Sequence, residues 1–236
     1  MTWTKGILEE RRGDTTYLSI VFSWDMPKAM QRIRNRVFDE KRFVVGGPAV
    51  RLQPDYFGDH AEVQADGGDW LSKHNLEATR TSLGCIRNCG FCAVPKTEGA
   101  LVELKDWPVR PIVCDNNLLA CSRKHFDSVI DKLKTLEWCD FNQGLDARLL
   151  TQHHADRFTE LKSPRIRLAW DHIKTERDFM RAAVMLRKAG IPRKLVSVYI
   201  LIGYGDCPAD ALYRLEIQPC LTIAGELLSD FEIIDC

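Results

Sequence analysis

Apolar positions along the chain fall into short continuous runs and longer helical patterns, in alternation. "YLSIVFSW" (Tyr17–Trp24) is an apolar run of strand length. "MPKAMQRIRNRVFDE" follows, with Ala29, Ile33 and Val37 at helical spacing on one face. "RFVVGGPAV" is a second buried-type strand, interrupted by Gly46, Gly47 and Pro48. Strand, helix, strand predicts a small parallel crossover unit. The turn-rich "QADGGDW" (Gln64–Trp70) marks a plausible boundary, and we divide the chain into residues 1–75 and 76–236.

The second part alternates more regularly. Strands are predicted at Ala78–Ser82, Pro111–Asp115, Cys139–Gln143, Arg165–Trp170 and Leu195–Gly203. Helices are predicted through "HFDSVIDKLKTL", from Thr151 to Leu161, from Thr175 to Ala189, and from Pro208 to about Leu215. Thr151 suits an N-cap. Thr175 and Asp178 have cap-like spacing, and Gly190 then Pro192 end that helix. The final "EIQPCLTIAGELLSDFEIIDC" reads as a divergent sixth strand or an altered end. The fold class is therefore α/β: a partial parallel (β/α) barrel of about six strands with a small N-terminal α/β unit. In such folds ligands sit at the carboxyl ends of the strands.

Composition changes this picture little. The 236 residues carry 33 basic and 33 acidic side chains, for a net charge of zero. That disfavours a broad polyanion-binding face. No apolar run is long enough for a membrane span, and the N-terminus lacks a secretory core, so the expected compartment is the cytoplasm. Nine cysteines in a reducing compartment point to metal or catalysis rather than disulfides.

Three of the nine, Cys85, Cys89 and Cys92, lie within "SLGCIRNCGFCAVPKTEG" in a C-x3-C-x2-C spacing. Structural zinc normally takes four protein ligands. A four-iron cluster on three thiolates keeps one iron free of protein ligands, and that iron can bind a substrate. Cys114, Cys121, Cys139, Cys207, Cys220 and Cys236 lack such spacing; a second cluster on the last three is a weaker reading.

With Phe91 before the last cysteine, this motif resembles that of the radical S-adenosylmethionine superfamily, over about Ala78 to Arg214. "CAVPKTEG" is similar to the segment after the cysteines in methylthiotransferases and cobalamin-dependent relatives. The resemblance implies a 4Fe–4S cluster on Cys85, Cys89 and Cys92, with S-adenosylmethionine on the fourth iron. It implies reductive cleavage to methionine and a 5′-deoxyadenosyl radical, fed by an electron donor such as flavodoxin or ferredoxin. "VFSWDMPKA" and "VVGGPAV" resemble a shortened cobalamin-binding-type domain. The Asp-x-His-x-x-Gly motif that supplies the cobalt ligand there is missing, which argues against cobalamin.

The same resemblance suggests cofactor contacts at Phe91, packed near adenine, and at Gly203 in "YILIGYGD", where the backbone closely approaches the ligand. Asp115 and Asn116, with Asn117, follow the second strand and suit the cofactor's amino group or ribose. Gln143, Asp146 and Arg148 follow the third; Arg148 suits the cofactor carboxylate through its fork of donors, or equally a structural contact with Asp146. Asp171 and His172 follow the fourth, and Lys96 and Glu98 border the cysteine segment. Two other readings stand. One is methylthio- or methyl transfer by the same radical chemistry, weakened because no cysteine precedes Cys85. The other is a non-catalytic iron–sulfur or zinc module. The substrate is not legible.

Overall fold

A computed structural model describes Trp3 and residues 6–36, 42–64 and 70–220, with side chains to 217 in the last helix. The chain forms two compact units, residues 1–78 and 79–236.

The first unit is a four-stranded sheet in the order β1 (Ile7–Arg12), β2 (Thr15–Ile20), β3 (Arg42–Gly46), β4 (Glu62–Val63). β1 and β2 are an antiparallel hairpin; β2, β3 and β4 are parallel. The crossover is α1 (Met26–Arg36), whose Met26, Ala29, Met30 and Ile33 are buried against Leu18, Ile20, Phe43 and Val45. α2 (Pro48–Leu52) and α3 (Trp70–His74) complete the unit. The predicted strand to Trp24 stops at Ile20. Pairing with β3 ends at Ser19 opposite Gly46, and Gly47, at φ +100°, lies against the Ile20 backbone. Phe22 then stacks on a 72% exposed Trp24, outside the sheet. Val37, expected on the apolar face of α1, lies outside the described residues.

The second unit carries a six-stranded sheet. Its strands are β5 (Ala78–Thr79), β8 (Ile112–Val113), β9 (Cys139–Phe141), β10 (Leu145–Asp146), β11 (Pro164–Trp170) and β12 (Val196–Ile200). β6 (Ser82–Leu83) and β7 (Val102–Glu103) form a separate antiparallel pair. The helices are α4 (Val94–Thr97), α5 (Arg123–Leu133), α6 (Gln152–Phe158), α7 (Glu176–Lys188) and α8 (Pro208–Cys220).

β9 and β10 are two pieces of one strand position. β9 pairs with Pro164–Arg165 of β11, and β10 with Leu168–Ala169. The break is the Asn142–Gly144 turn, where Gly144 has φ +79°. The sheet therefore runs β5, β8, β9/β10, β11, β12 in chain order, with no reversal. The parallel register pairs Leu168 with Val198 and Trp170 with Ile200. Those residues, with Ile166 and Phe141, pack against Phe126 and Ile130 of α5, Phe158 of α6 and Phe179 of α7 in one core. Side chains alternate along a strand, so the opposite face carries Asp140, Arg167 and Tyr199. Arg167 grips Asp140 through two bonds of 2.8 Å and donates to the Tyr199 hydroxyl at 2.9 Å. A sheet wound in one direction, apolar toward its helices and polar on the other face, is the observed architecture. Among the described residues it is not closed on itself.

Local details differ from expectation. The predicted strand Ala78–Ser82 divides into β5 and β6, because Thr81 turns aside to bond Asp115. Thr151 does cap α6, accepting from His154 N at 3.4 Å, while His154 Nδ1 accepts from Thr151 N at 3.2 Å. Thr175 precedes α7, but its hydroxyl donates back to His172 O at 2.8 Å. α8 runs one turn and more beyond Leu215. The segment expected to supply a sixth strand or altered end lies mostly beyond residue 220, outside the described residues.

Candidate functional site

The cysteine loop leaves β6 and closes on itself. Gly84 has φ +71°, and a Cβ there would stand 2.7 Å from Gly99 O and closer still to Ala100 O. Only glycine fits both the backbone angle and that approach. Cys85 N donates to Gly99 O at 3.2 Å, and Cys92 N to Cys89 O at 3.0 Å. All three thiols are half-buried and free of disulfides. The Cys85 sulfur accepts from Arg87 N at 3.3 Å and from the Asn117 amide at 3.5 Å. Burial pushes the Cys92 thiol up, and the nearby Cys89, Cys85 and Asp171 push the same way. Such a thiol needs a positive partner to ionise.

The other described cysteines differ. Burial pushes Cys114, Cys121 and Cys139 up to about 12, so they are protonated, inert core groups. Cys207 is exposed. The side chains of Cys220 and Cys236 lie outside the described residues.

Glu98 organises the loop's far end. Its carboxylate accepts from Arg80 at 2.7 Å, Gly84 N at 3.0 Å and Asn116 at 2.6 Å. Burial alone would raise its pKa, but Arg80 and these bonds hold it below the usual range. Asn116 is thereby tied to the cysteine loop. Lys96 is exposed to solvent.

Asp115 is a buried brace. It accepts from Thr81 N at 2.6 Å, from the Thr81 hydroxyl, and from the Ser82 hydroxyl at 2.9 Å. Burial raises its pKa above 3.8, against the pull of those bonds. A raised folded value means the stabilising contribution is full below about 3.8 and is lost as pH rises through the folded value. Asn at this position accepts from Thr81 N and donates to the hydroxyls without titrating. We therefore expect the stability of Asp115→Asn relative to wild type to rise between pH 4 and pH 7, read by urea unfolding. A pH-independent difference contradicts this.

Across the sheet rim, Asp146 ends β10 at 8% side-chain exposure. Arg148 binds it with Nε at 2.6 Å and Nη2 at 3.1 Å, and Arg87 of the cysteine loop donates to it at 3.0 Å. Burial would raise the Asp146 pKa; Arg148 and Arg87 hold it low. The Arg148 pKa is raised, first by Asp146 and further by Cys89 and Asp171. Asp171, after β11, is raised by burial, with Arg148 and Arg214 opposing. Gln143 is exposed at the β9–β10 turn.

Beyond β12, Gly203 has φ +85°, and a Cβ there would meet nothing within 4 Å. Tyr204 meets Phe91 edge to face at 5.3 Å between centroids. His172 Nδ1 accepts from Lys174 N at 3.0 Å, which leaves Nε2–H to donate to Gly205 O at 3.1 Å. Arg214, fully buried, donates to Trp170 O at 2.7 Å and Leu201 O at 2.8 Å and pairs with Asp206.

The structure thus joins Cys85, Asn117 and Arg87; Arg148 and Asp146; Phe91 and Tyr204. Arg87, Asp206 and Arg214 escaped sequence reasoning. Each is a common charged residue whose inward direction depends on the tertiary fold. Among the described residues no three His, Cys, Asp or Glu side chains converge as a single-ion centre requires. A cubane cluster asks for something else: one soft thiolate on each iron the protein holds, and N–H donors toward the sulfurs. The all-thiolate set and the two N–H donors to the Cys85 sulfur, from Arg87 N and Asn117 Nδ2, fit that group. Among the described residues no helix is long and apolar enough to cross a membrane. Compared with known proteins, the chain matches no protein-family model and no curated protein.

Proposed function

We propose that this protein is a radical S-adenosylmethionine enzyme, acting in a reducing compartment, whose second unit is a partial (β/α) barrel. The observation that carries this reading is the closed, half-buried loop of three free thiols at the carboxyl rim of a one-way parallel sheet. The remaining described core cysteines are buried and protonated, so this trio stands apart chemically.

Cys85, Cys89 and Cys92 would hold the cluster, losing their protons as they bind. A 4Fe–4S cluster held there would supply one electron, drawn from flavodoxin or ferredoxin, for reductive cleavage of S-adenosylmethionine to methionine and a 5′-deoxyadenosyl radical. Asn117 and the Arg87 amide hydrogen-bond the Cys85 sulfur and fix its orientation. Asp146 takes the Nε and Nη2 fork of Arg148, so only the outer Nη hydrogens would reach the cofactor carboxylate. Phe91 and Tyr204 shield the rim and offer apolar surface to adenine, with Gly203 leaving room for the ligand. Asn116 and Gln143 would supply amides for the ribose and amino group, while the Asp115 carboxylate braces Thr81 and Ser82.

The test is metal content and product. After anaerobic reconstitution we expect about four irons with sulfide per chain, and 5′-deoxyadenosine on reduction with S-adenosylmethionine. Both vanish when Cys85, Cys89 and Cys92 all become Ala. One zinc per chain, lost in that variant, overturns the reading and favours a non-catalytic module.

A further inference from the structure

We propose that Arg87, inside the Cys85–Cys89 spacer, is a positioning residue that locks the cysteine loop to the end of β10 and raises the reduction potential of the cluster. This rests on the iron–sulfur reading above.

Spacer residues of an exposed loop ordinarily face solvent, and Ile86 and Asn88 on either side are exposed. Arg87 instead turns inward and donates Nε to Asp146 at 3.0 Å. Its own amide donates to the Cys85 sulfur at 3.3 Å. One residue therefore grips a ligand sulfur with its backbone and the sheet rim with its side chain. Asp146 is nearly buried, and its carboxylate is shared with Arg148. That sharing fixes the acceptor in place before Arg87 reaches it.

The charges add a second effect. Two guanidiniums on one carboxylate leave a net positive charge beside the thiolates. Arg148 also interacts electrostatically with Cys89. Reduction adds one electron, from an external low-potential donor, and breaks no bond. A fixed positive charge nearby favours the more negative, reduced form. The side chains are about one-third exposed, so salt weakens the effect without abolishing it.

The test is a potentiometric titration of the reconstituted protein, followed by electron paramagnetic resonance, with dithionite as reductant. We expect Arg87→Gln to keep its iron and sulfide while its midpoint moves to a more negative potential. Arg87→Lys, which keeps the charge, should lie closer to wild type. Lys162→Gln, on a distant exposed pair with Glu137, should not move. A loaded Arg87→Gln with the wild-type midpoint overturns the proposal. If Arg87→Gln binds no iron, rescue of loading by Arg87→Lys supports it, and equal failure of Arg87→Lys overturns it. A wild-type chain without a cluster is a separate result, which overturns this proposal together with the reading beneath it.

Discussion

Arg214→Ala is expected to cost about 3–5 kcal/mol of folding stability, the range for breaking a buried ion pair by removing one partner. Arg214 has no exposed surface, and neither does the Asp206 side chain it pairs with. The guanidinium also satisfies the backbone carbonyls of Trp170 and Leu201, which end β11 and begin the exit from β12. Removing it leaves a buried carboxylate, two unpartnered carbonyls and a cavity. Among the described residues Asp206 Oδ1 already has no partner. Arg214→Met with Asp206→Leu should recover much of the loss, because the unpaired charge goes with its partner. Urea unfolding measures both. A loss under about 1 kcal/mol for Arg214→Ala, the scale of an exposed pair, contradicts the account.

Gly84→Ala should spare most of the fold yet empty the cysteine loop. A non-glycine residue at φ +71° costs about 1–2 kcal/mol. The larger consequence is geometric, because the new methyl overlaps Ala100 O and crowds Gly99 O, both backbone. Those atoms yield only if the loop opens, which also breaks the Cys85 N to Gly99 O bond and the Gly84 N to Glu98 bond. We expect circular dichroism close to wild type and iron content after reconstitution reduced several-fold. Gly90→Ala is the contrast: its methyl meets only the 47% exposed Tyr204 side chain, which can turn aside into solvent, so iron content should stay near wild type. Full loading of Gly84→Ala contradicts the description of the loop.

The regular elements were legible because their apolar spacing survives in the structure. Phe126, Ile130 and Leu133 face the core from α5, and Ile166, Leu168 and Trp170 do so from β11. β1 was not legible: Glu9, Glu10, Arg11 and Arg12 give no alternation, and its order comes from the hairpin with β2. β10 was missed because two residues give no period; its place is set by pairing with Leu168 and Ala169. The cysteine loop was the plainest signal, since spacing alone singles it out. Its supports were not. Glu98 and Asn117 stood out as candidates, but their bonds to the loop span 14 and 32 residues, and the loop's own Arg87 reaches Asp146 across 59. Asp115 was placed correctly at a strand end, but its oxygens bond Thr81 and Ser82, a partnership that follows from β5 lying beside β8.

The central claim is that three thiolates leave one iron open for S-adenosylmethionine. The most direct measurement is electron paramagnetic resonance of the reconstituted, dithionite-reduced protein with and without that cofactor. The account predicts a reduced-cluster signal that shifts when S-adenosylmethionine is added and is lost in the Cys85, Cys89 and Cys92 triple Ala variant. A signal that ignores the cofactor, or one that survives loss of all three cysteines, contradicts it.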